Sequence, residues 1–149
     1  MKAVINRILD ISLIVTLALM SLIVAINVFF RFVLNASIYW GDELALVLFV
    51  WLTFLGAAVS IREREHYAFN YFSGKLKGKA LRNYILLRDC LTVIAILVLL
   101  YYSGKVTFQI NKWIMPAMEI SRSLVYGAAP VGCLFMLYYM GLRFTARLR

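Results

Sequence analysis

Four long apolar runs constrain this chain more than any other feature. They cover about residues 8–32, 38–61, 84–109 and 124–144. A helix needs roughly 20 apolar residues to cross ~30 Å of hydrocarbon, and each run is that long or longer. The chain is 64% hydrophobic and 15% charged, where a soluble domain is about half apolar and a quarter charged. There is too little polar sequence to coat a globule. The expected fold class is therefore all-α: an integral membrane protein, one domain of four transmembrane helices. The first run follows Lys2 and Arg7 in the manner of a signal peptide. It continues to Phe30 with no small-x-small cleavage site after it, so it reads as an uncleaved first span.

The net charge of +9 raises nucleic acid as a partner, and charge placement removes it. The basic residues lie outside the apolar runs or toward their ends, and no soluble segment interleaves them with aromatics as a nucleic-acid patch. Lys2 and Arg7, seven basic residues from Arg62 to Arg88, and Arg143, Arg147 and Arg149 fall on one side of the expected membrane. Arg31, Lys105, Lys112 and Arg122 fall on the other. The richer side is cytoplasmic, so both termini are expected inside, with the corner after the first span facing outward.

That corner carries the most specific pattern. The first span is interrupted by Ser12, Thr16, Asn27 and Arg31 at near-helical spacing, and Asn27 and Arg31 share a face as an i, i+4 pair. Either this stripe faces protein, since lipid gives it no partners, or the hydroxyls bond back to their own helix and Arg31 snorkels. Ser37 is a good N-cap for the second span. Trp40, Asp42 and Glu43 then lie in its first two turns, where carboxylates oppose the positive end of the helix dipole. Tyr39 and Trp40 suit the headgroup level. Further along, Gly56-x-x-x-Ser60 offers a small-residue face, and Trp51 sits at a protein or lipid seam, or faces bulk lipid.

Between the second and third spans, aromatics such as Tyr67, Phe69 and Tyr71 mix with Lys75, Lys77 and Lys79. This cytoplasmic basic segment reads either as interfacial or as a solvated loop. In the fourth span, capped by Ser121 or Ser123, Pro130 removes one helical hydrogen bond and clashes with the preceding turn. A kink is expected there, with Gly127 and Gly132 letting a neighbour approach.

Several chemistries lack their residues. The lone histidine, His66, cannot make a bis-histidine haem site or a Ser-His-acid set. No Gly-rich phosphate loop is present. Cys90 and Cys133 fall at different depths and in no C-x-x-C spacing, so they read as packing residues. The middles of the spans carry no carboxylate, whereas an ion-driven pump needs an ionisable or polar site near the midplane. No enzyme activity and no cofactor are expected. Polar edges without a midplane site suggest helices that pack against a larger membrane partner.

The chain resembles the small membrane subunit of tripartite ATP-independent periplasmic (TRAP) transporters. That family reads roughly N-x-x-x-R, S-x-x-W-x-E-E, an apolar helix with a Trp, then G-A-x-x-x-x-R-x-x-x-H. Asn27, Arg31, Ser37, Trp40, Asp42, Glu43, Trp51, Gly56, Ala57, Arg62 and His66 stand at those spacings. Pro130-Val131-Gly132 is similar to the family's P-[IV]-G in the last helix. Asp42 replaces the first family Glu, and Asn70 stands where an Asp often follows the His. The resemblance implies a non-catalytic scaffold for a large elevator-type subunit. That subunit takes up an organic acid, C4-dicarboxylate or sialic acid, with sodium coupling expected in the large subunit. A periplasmic substrate-binding protein delivers the solute. The implied interface with the partner subunit or with membrane lipids comprises Asn27, Arg31, Ser37, Trp40, Asp42, Glu43, Trp51, Arg62, His66 and Pro130. The implied location is the bacterial inner membrane. A self-sufficient four-helix exporter acting as a dimer is the alternative. It needs an acid buried in the first span, and Asp10 lies only at that span's edge.

Overall fold

The computed structural model describes residues 2–36, 38–67 and 79–147. Ser37, the His66 side chain and most of the basic segment, residues 68–78, lie outside the described residues. Helix α1 covers Lys2–Val33 and α2 Tyr39–Tyr67. Helix α3 covers Lys79–Gln109 and leads into a 3-10 turn at Ile110–Lys112. A single helical turn, α4, covers Ser123–Tyr126, and α5 covers Ala128–Arg147.

Four segments are long and apolar enough to cross a membrane: Val4–Val33, Tyr39–Glu63, Asn83–Lys112 and Ser123–Thr145. The helices outrun the apolar sequence at several ends, because a backbone already in helical register keeps its hydrogen bonds when polar side chains take over. Helix α1 has 32 residues, about 48 Å at 1.5 Å per residue. That exceeds ~30 Å of hydrocarbon, so α1 tilts or emerges at one face.

Helix α1 packs along α2, α2 along α5, and α5 along α3. The helices thus form a row, α1–α2–α5–α3, with α1 and α3 as flanks. Only 6% of the most apolar stretch of α1 is buried, against 44% for the α4–α5 span. The α2–α5 seam is the core. Ala58, Ile96, Cys133, Met136 and Met140 bury one cluster among α2, α3 and α5. Leu9, Leu55 and Tyr139 bury a second among α1, α2 and α5.

The close approach at this seam comes from Gly132. A Cβ there would lie 2.7 Å from Phe54 Cβ and 3.1 Å from the Phe54 carbonyl oxygen. Gly56, the glycine of the expected small-residue face, has nothing within 4 Å of such a Cβ, so that spacing does not mark the contact. Gly127 meets only its own preceding turn, at Ser123 O. The expected kink appears as a break: the helix is interrupted at Gly127 and resumes with Pro130 in the first turn of α5. There the missing N–H and the ring's demand on the preceding turn are tolerated best.

The α1–α2 corner ends α1 through Asn35, whose φ is 49°. Asn is one of the few non-glycine residues that adopt this left-handed conformation readily. The Ala36 N–H reaches back to the Phe30 carbonyl, 3.2 Å. The segment between α3 and α4 is also ordered. Met115 N–H donates to Ile120 O and Arg122 N–H to Trp113 O, each at 2.8 Å. Met115 inserts into a cluster with Val47 and Val125. Arg122, not a serine, occupies the N-cap of α4 and makes no side-chain cap. Ser121 Oγ accepts the Ser123 N–H at 3.2 Å instead.

Gly132→Leu places a branched side chain into Phe54. It should lower the thermal midpoint of the detergent-solubilised protein, corresponding to about 1–3 kcal/mol of overpacking. Gly56→Ala, which fills open space within a helix, should leave the midpoint unchanged or raise it slightly. Equal midpoints for Gly132→Leu and the parent protein would refute the close seam.

Candidate functional site

Polar side chains meet across helices at the two ends of the row. At the corner end, Asn27 of α1 is 8% exposed, and its Nδ2 donates to Asp42 Oδ1 of α2 at 2.6 Å. Gly41 makes room for this contact, since a Cβ there would sit 3.2 Å from Asn27 Cγ. Glu43, the next residue on α2, points elsewhere. Its carboxylate accepts the backbone N–H of Met118 at 2.9 Å and that of Ala117 at 3.2 Å. One acidic side chain thereby ties the first turn of α2 to the tip of the α3–α4 segment. These are charge-assisted bonds, the stronger kind. Two turns on, Trp51 Nε1 donates to the Leu124 carbonyl at 3.1 Å, joining α2 to α4.

At the end that carries the termini, Arg62 of α2 donates through Nη2 to Asp10 Oδ1 of α1 at 2.7 Å, and through Nε to Glu63 at 3.1 Å. Tyr139 of α5 donates its hydroxyl to Asn6 of α1 at 2.8 Å. On the other side of α5, Asp89 of α3 is 2% exposed. It accepts from Arg88 Nη2 at 2.7 Å and has Arg143 Nη1 at 3.9 Å. The arrangement fastens four helices at this end.

The residues expected at an interface therefore do not form one cluster. Asn27 pairs with Asp42, Glu43 holds the opposite loop, and Trp51 and Arg62 close seams within the chain. Trp40 is exposed. Arg31 is exposed, and its guanidinium lies 5.9 Å from the Phe32 ring centroid; among the described residues it has no ion pair. Ser12 bonds back to Leu9 O, 3.0 Å, so this hydroxyl seeks no outside partner. Pro130 is half-buried at the start of α5. Ser37 and the His66 side chain lie outside the described residues.

Asp10, Asp89, Arg143, Asn6 and Tyr139 were not singled out from sequence as partners. Their contacts join distant positions, and no local spacing announces them. The one available signal was depth: Asp10 and Arg62 both fall at span boundaries on the same expected side. Among the described residues no group of three His, Cys, Asp or Glu converges as a metal site. Cys90 and Cys133 are both free thiols, Cys133 buried.

Comparison with known proteins places this architecture. A family model described as "Tripartite ATP-independent periplasmic transporters, DctQ component" matches residues 20–149. The chain belongs to this family. As a TRAP transporter component it is a transporter subunit, not an enzyme. It is 32% identical over 130 residues to a putative TRAP transporter small permease protein of Haemophilus influenzae, covering 85% of this chain and 79% of that one. It is 28% identical over 142 residues to the sialic acid TRAP transporter small permease protein SiaQ of Vibrio cholerae, covering 93% and 80%. It is also 28% identical over 109 residues to the sialic acid TRAP transporter permease protein SiaT of Haemophilus influenzae, covering 72% of this chain and 18% of that longer protein. Within this DctQ-type subunit, family-motif residues Asn27, Asp42, Glu43, Trp51 and Arg62 all make contacts inside the chain.

Two substitutions test these fastenings. Glu43→Ala should speed hydrogen exchange at the Ala117 and Met118 amides roughly ten- to hundredfold, as expected from about 1.5–3 kcal/mol for bonds to a charged group. Glu43→Gln should have a smaller effect. Unchanged exchange at both amides would contradict the tether. Asp89→Ala takes the carboxylate away from Arg88 and Arg143, whose side chains are 29% and 11% exposed; it should cost about 1–3 kcal/mol, read as a fall in thermal midpoint.

Proposed function

We propose that this chain is the non-catalytic scaffold of a TRAP transporter and braces a large elevator-type membrane subunit in the bilayer. The carrying observation is where ionisable residues stand. Residues 11–26, 44–61, 90–104 and 124–142 contain no Asp, Glu, Lys, Arg or His. The ion pairs among the described residues lie at the terminal end of the row. A coupled carrier needs polar or ionisable groups near the midplane to hold ion and solute. Sodium coupling and solute binding therefore belong to the partner, and this chain supplies fixed structure. The exposed apolar flanks of α1 and α3 suit a chain that presents side faces to another membrane protein and to lipid.

The transported solute is an organic acid delivered by a periplasmic substrate-binding protein. Relatives named for sialic acid favour that class over C4-dicarboxylates. The membrane is the bacterial inner membrane. Both termini and the basic segment between α2 and α3 lie in the cytoplasm, by the distribution of Lys and Arg. The Asn27–Asp42 corner and the Glu43-tethered loop then face the periplasm.

Co-purification tests the scaffold reading. The tagged chain, expressed with its genomic neighbours and extracted in mild detergent, should retain a large many-span membrane protein in stoichiometric amount. Recovery of the chain alone or as a homodimer, or transport by the purified chain alone in liposomes, would overturn it in favour of a small exporter.

A further inference from the structure

The Asn27–Asp42 pair lines a notch between α1 and α2, with a volume of about 90 Å³. Val28, Phe32, Ala45 and Arg31 also line it. Three polar groups converge there with unused capacity. Asn27 is more than nine-tenths buried, and among the described residues its Oδ1 has no hydrogen-bond partner. The amide cannot be turned round to cure this, because Nδ2 already donates to Asp42, and a flip would set oxygen against carboxylate. Asp42 uses Oδ1 for that bond, which leaves Oδ2 as a charged acceptor. Arg31, one helical turn after Asn27, brings a guanidinium with no carboxylate partner among the described residues.

A buried acceptor left without a donor is destabilising, so the site calls for an N–H or O–H group. Beside it lie one anion and one cation. We propose that this notch binds the headgroup of a zwitterionic phospholipid with a primary ammonium, phosphatidylethanolamine in chemical class. The ammonium enters between Asn27 Oδ1 and Asp42 and donates to both. The phosphate remains outside on Arg31, where a guanidinium offers paired donors to its oxygens.

Size and depth support this occupant. A cavity holds a water at about 10–15 Å³ of such volume, so a notch of about 90 Å³ has room for an ammonium and its adjoining carbons. It sits where the α1 and α2 spans end, next to the exposed Tyr39 and Trp40, rings that settle at headgroup level. A trimethylammonium group has no N–H for Asn27 and is recognised by aromatic cages; here Phe32 alone lines the wall. An anionic glycerol headgroup has no cation for Asp42. The inference rests on this chain's own residues and stands whether or not the scaffold reading does.

The test uses the full chain, delipidated in detergent, with lipid binding followed by native mass spectrometry. The probes are phosphatidylethanolamine, its N-methyl and N,N-dimethyl forms, phosphatidylcholine and phosphatidylglycerol. Retention should fall stepwise along the methylation series, at least tenfold from first to last, and phosphatidylglycerol should bind no better than phosphatidylcholine. This series leaves the protein unaltered, so misfolding cannot imitate the result. Asp42→Asn and Arg31→Gln should each reduce phosphatidylethanolamine retention at least fivefold and flatten the series. Equal retention of the ethanolamine and choline lipids would overturn the proposal. So would soluble glycerophosphoethanolamine binding as tightly as the lipid, which would assign the notch to a free zwitterion. A basic side chain of a partner protein seated between Asn27 and Asp42 in the purified complex would also overturn it.

Discussion

Hydrocarbon supplies neither donors nor acceptors, so each polar side chain in this chain must find protein, headgroup or water. That constraint sets the whole arrangement. The middles of the helices are apolar. Where α1, α2, α3 and α5 approach the membrane boundaries, polar side chains meet in pairs across the seams. Asn27 with Asp42 joins α1 to α2 at one end; Arg62 with Asp10 joins the same helices at the other. Asp89 with Arg143 joins α3 to α5. Apolar packing alone specifies helix register poorly in lipid, because tails are as apolar as the side chains they replace. Paired polar ends set which helices are neighbours and at what height.

Helix α2 depends most on this scheme. It touches α1, α4 and α5, and its polar residues reach three different parts of the chain. Asp42 takes α1, Glu43 the α3–α4 segment, Trp51 the Leu124 carbonyl and Arg62 α1 again. Between these fastenings the α2–α5 seam closes because Gly132 lets Phe54 come close. A row held so firmly at both ends, with apolar flanks left open, is suited to bracing something else. The family's assignment to a multicomponent transporter agrees with that physical character.

Much of the architecture was legible in the sequence because a membrane span is a local property. Length and apolarity over about 20 residues identify it, and no tertiary contact is needed to see it. The break before Pro130 was legible for the same reason: it follows from one ring and the turn behind it. The Gly56-x-x-x-Ser60 spacing misled because it states that a close approach is possible, not that a neighbour is there. Gly132 satisfies the same local condition and does have the neighbour. The acidic pair Asp42-Glu43 shows the limit at the site. Both stand in the first turns of α2 as their dipole chemistry suggests, yet adjacent positions on a helix point about 100° apart. They serve two different partners and make no common cluster.

Four spans, the break before Pro130, interiors without ionisable groups and the motif pattern of the TRAP small subunit could all be read from the residues alone. These follow from residue identity and short spacing. The order of helices in the row, the choice of Asp10 for Arg62, the burial of Asp89 between α3 and α5, and the Asn27 oxygen left without a donor among the described residues come from tertiary packing. Each depends on which faces meet. An apolar helix presents nearly the same surface all round, and its hydrophobic pattern does not say which side its neighbour will take.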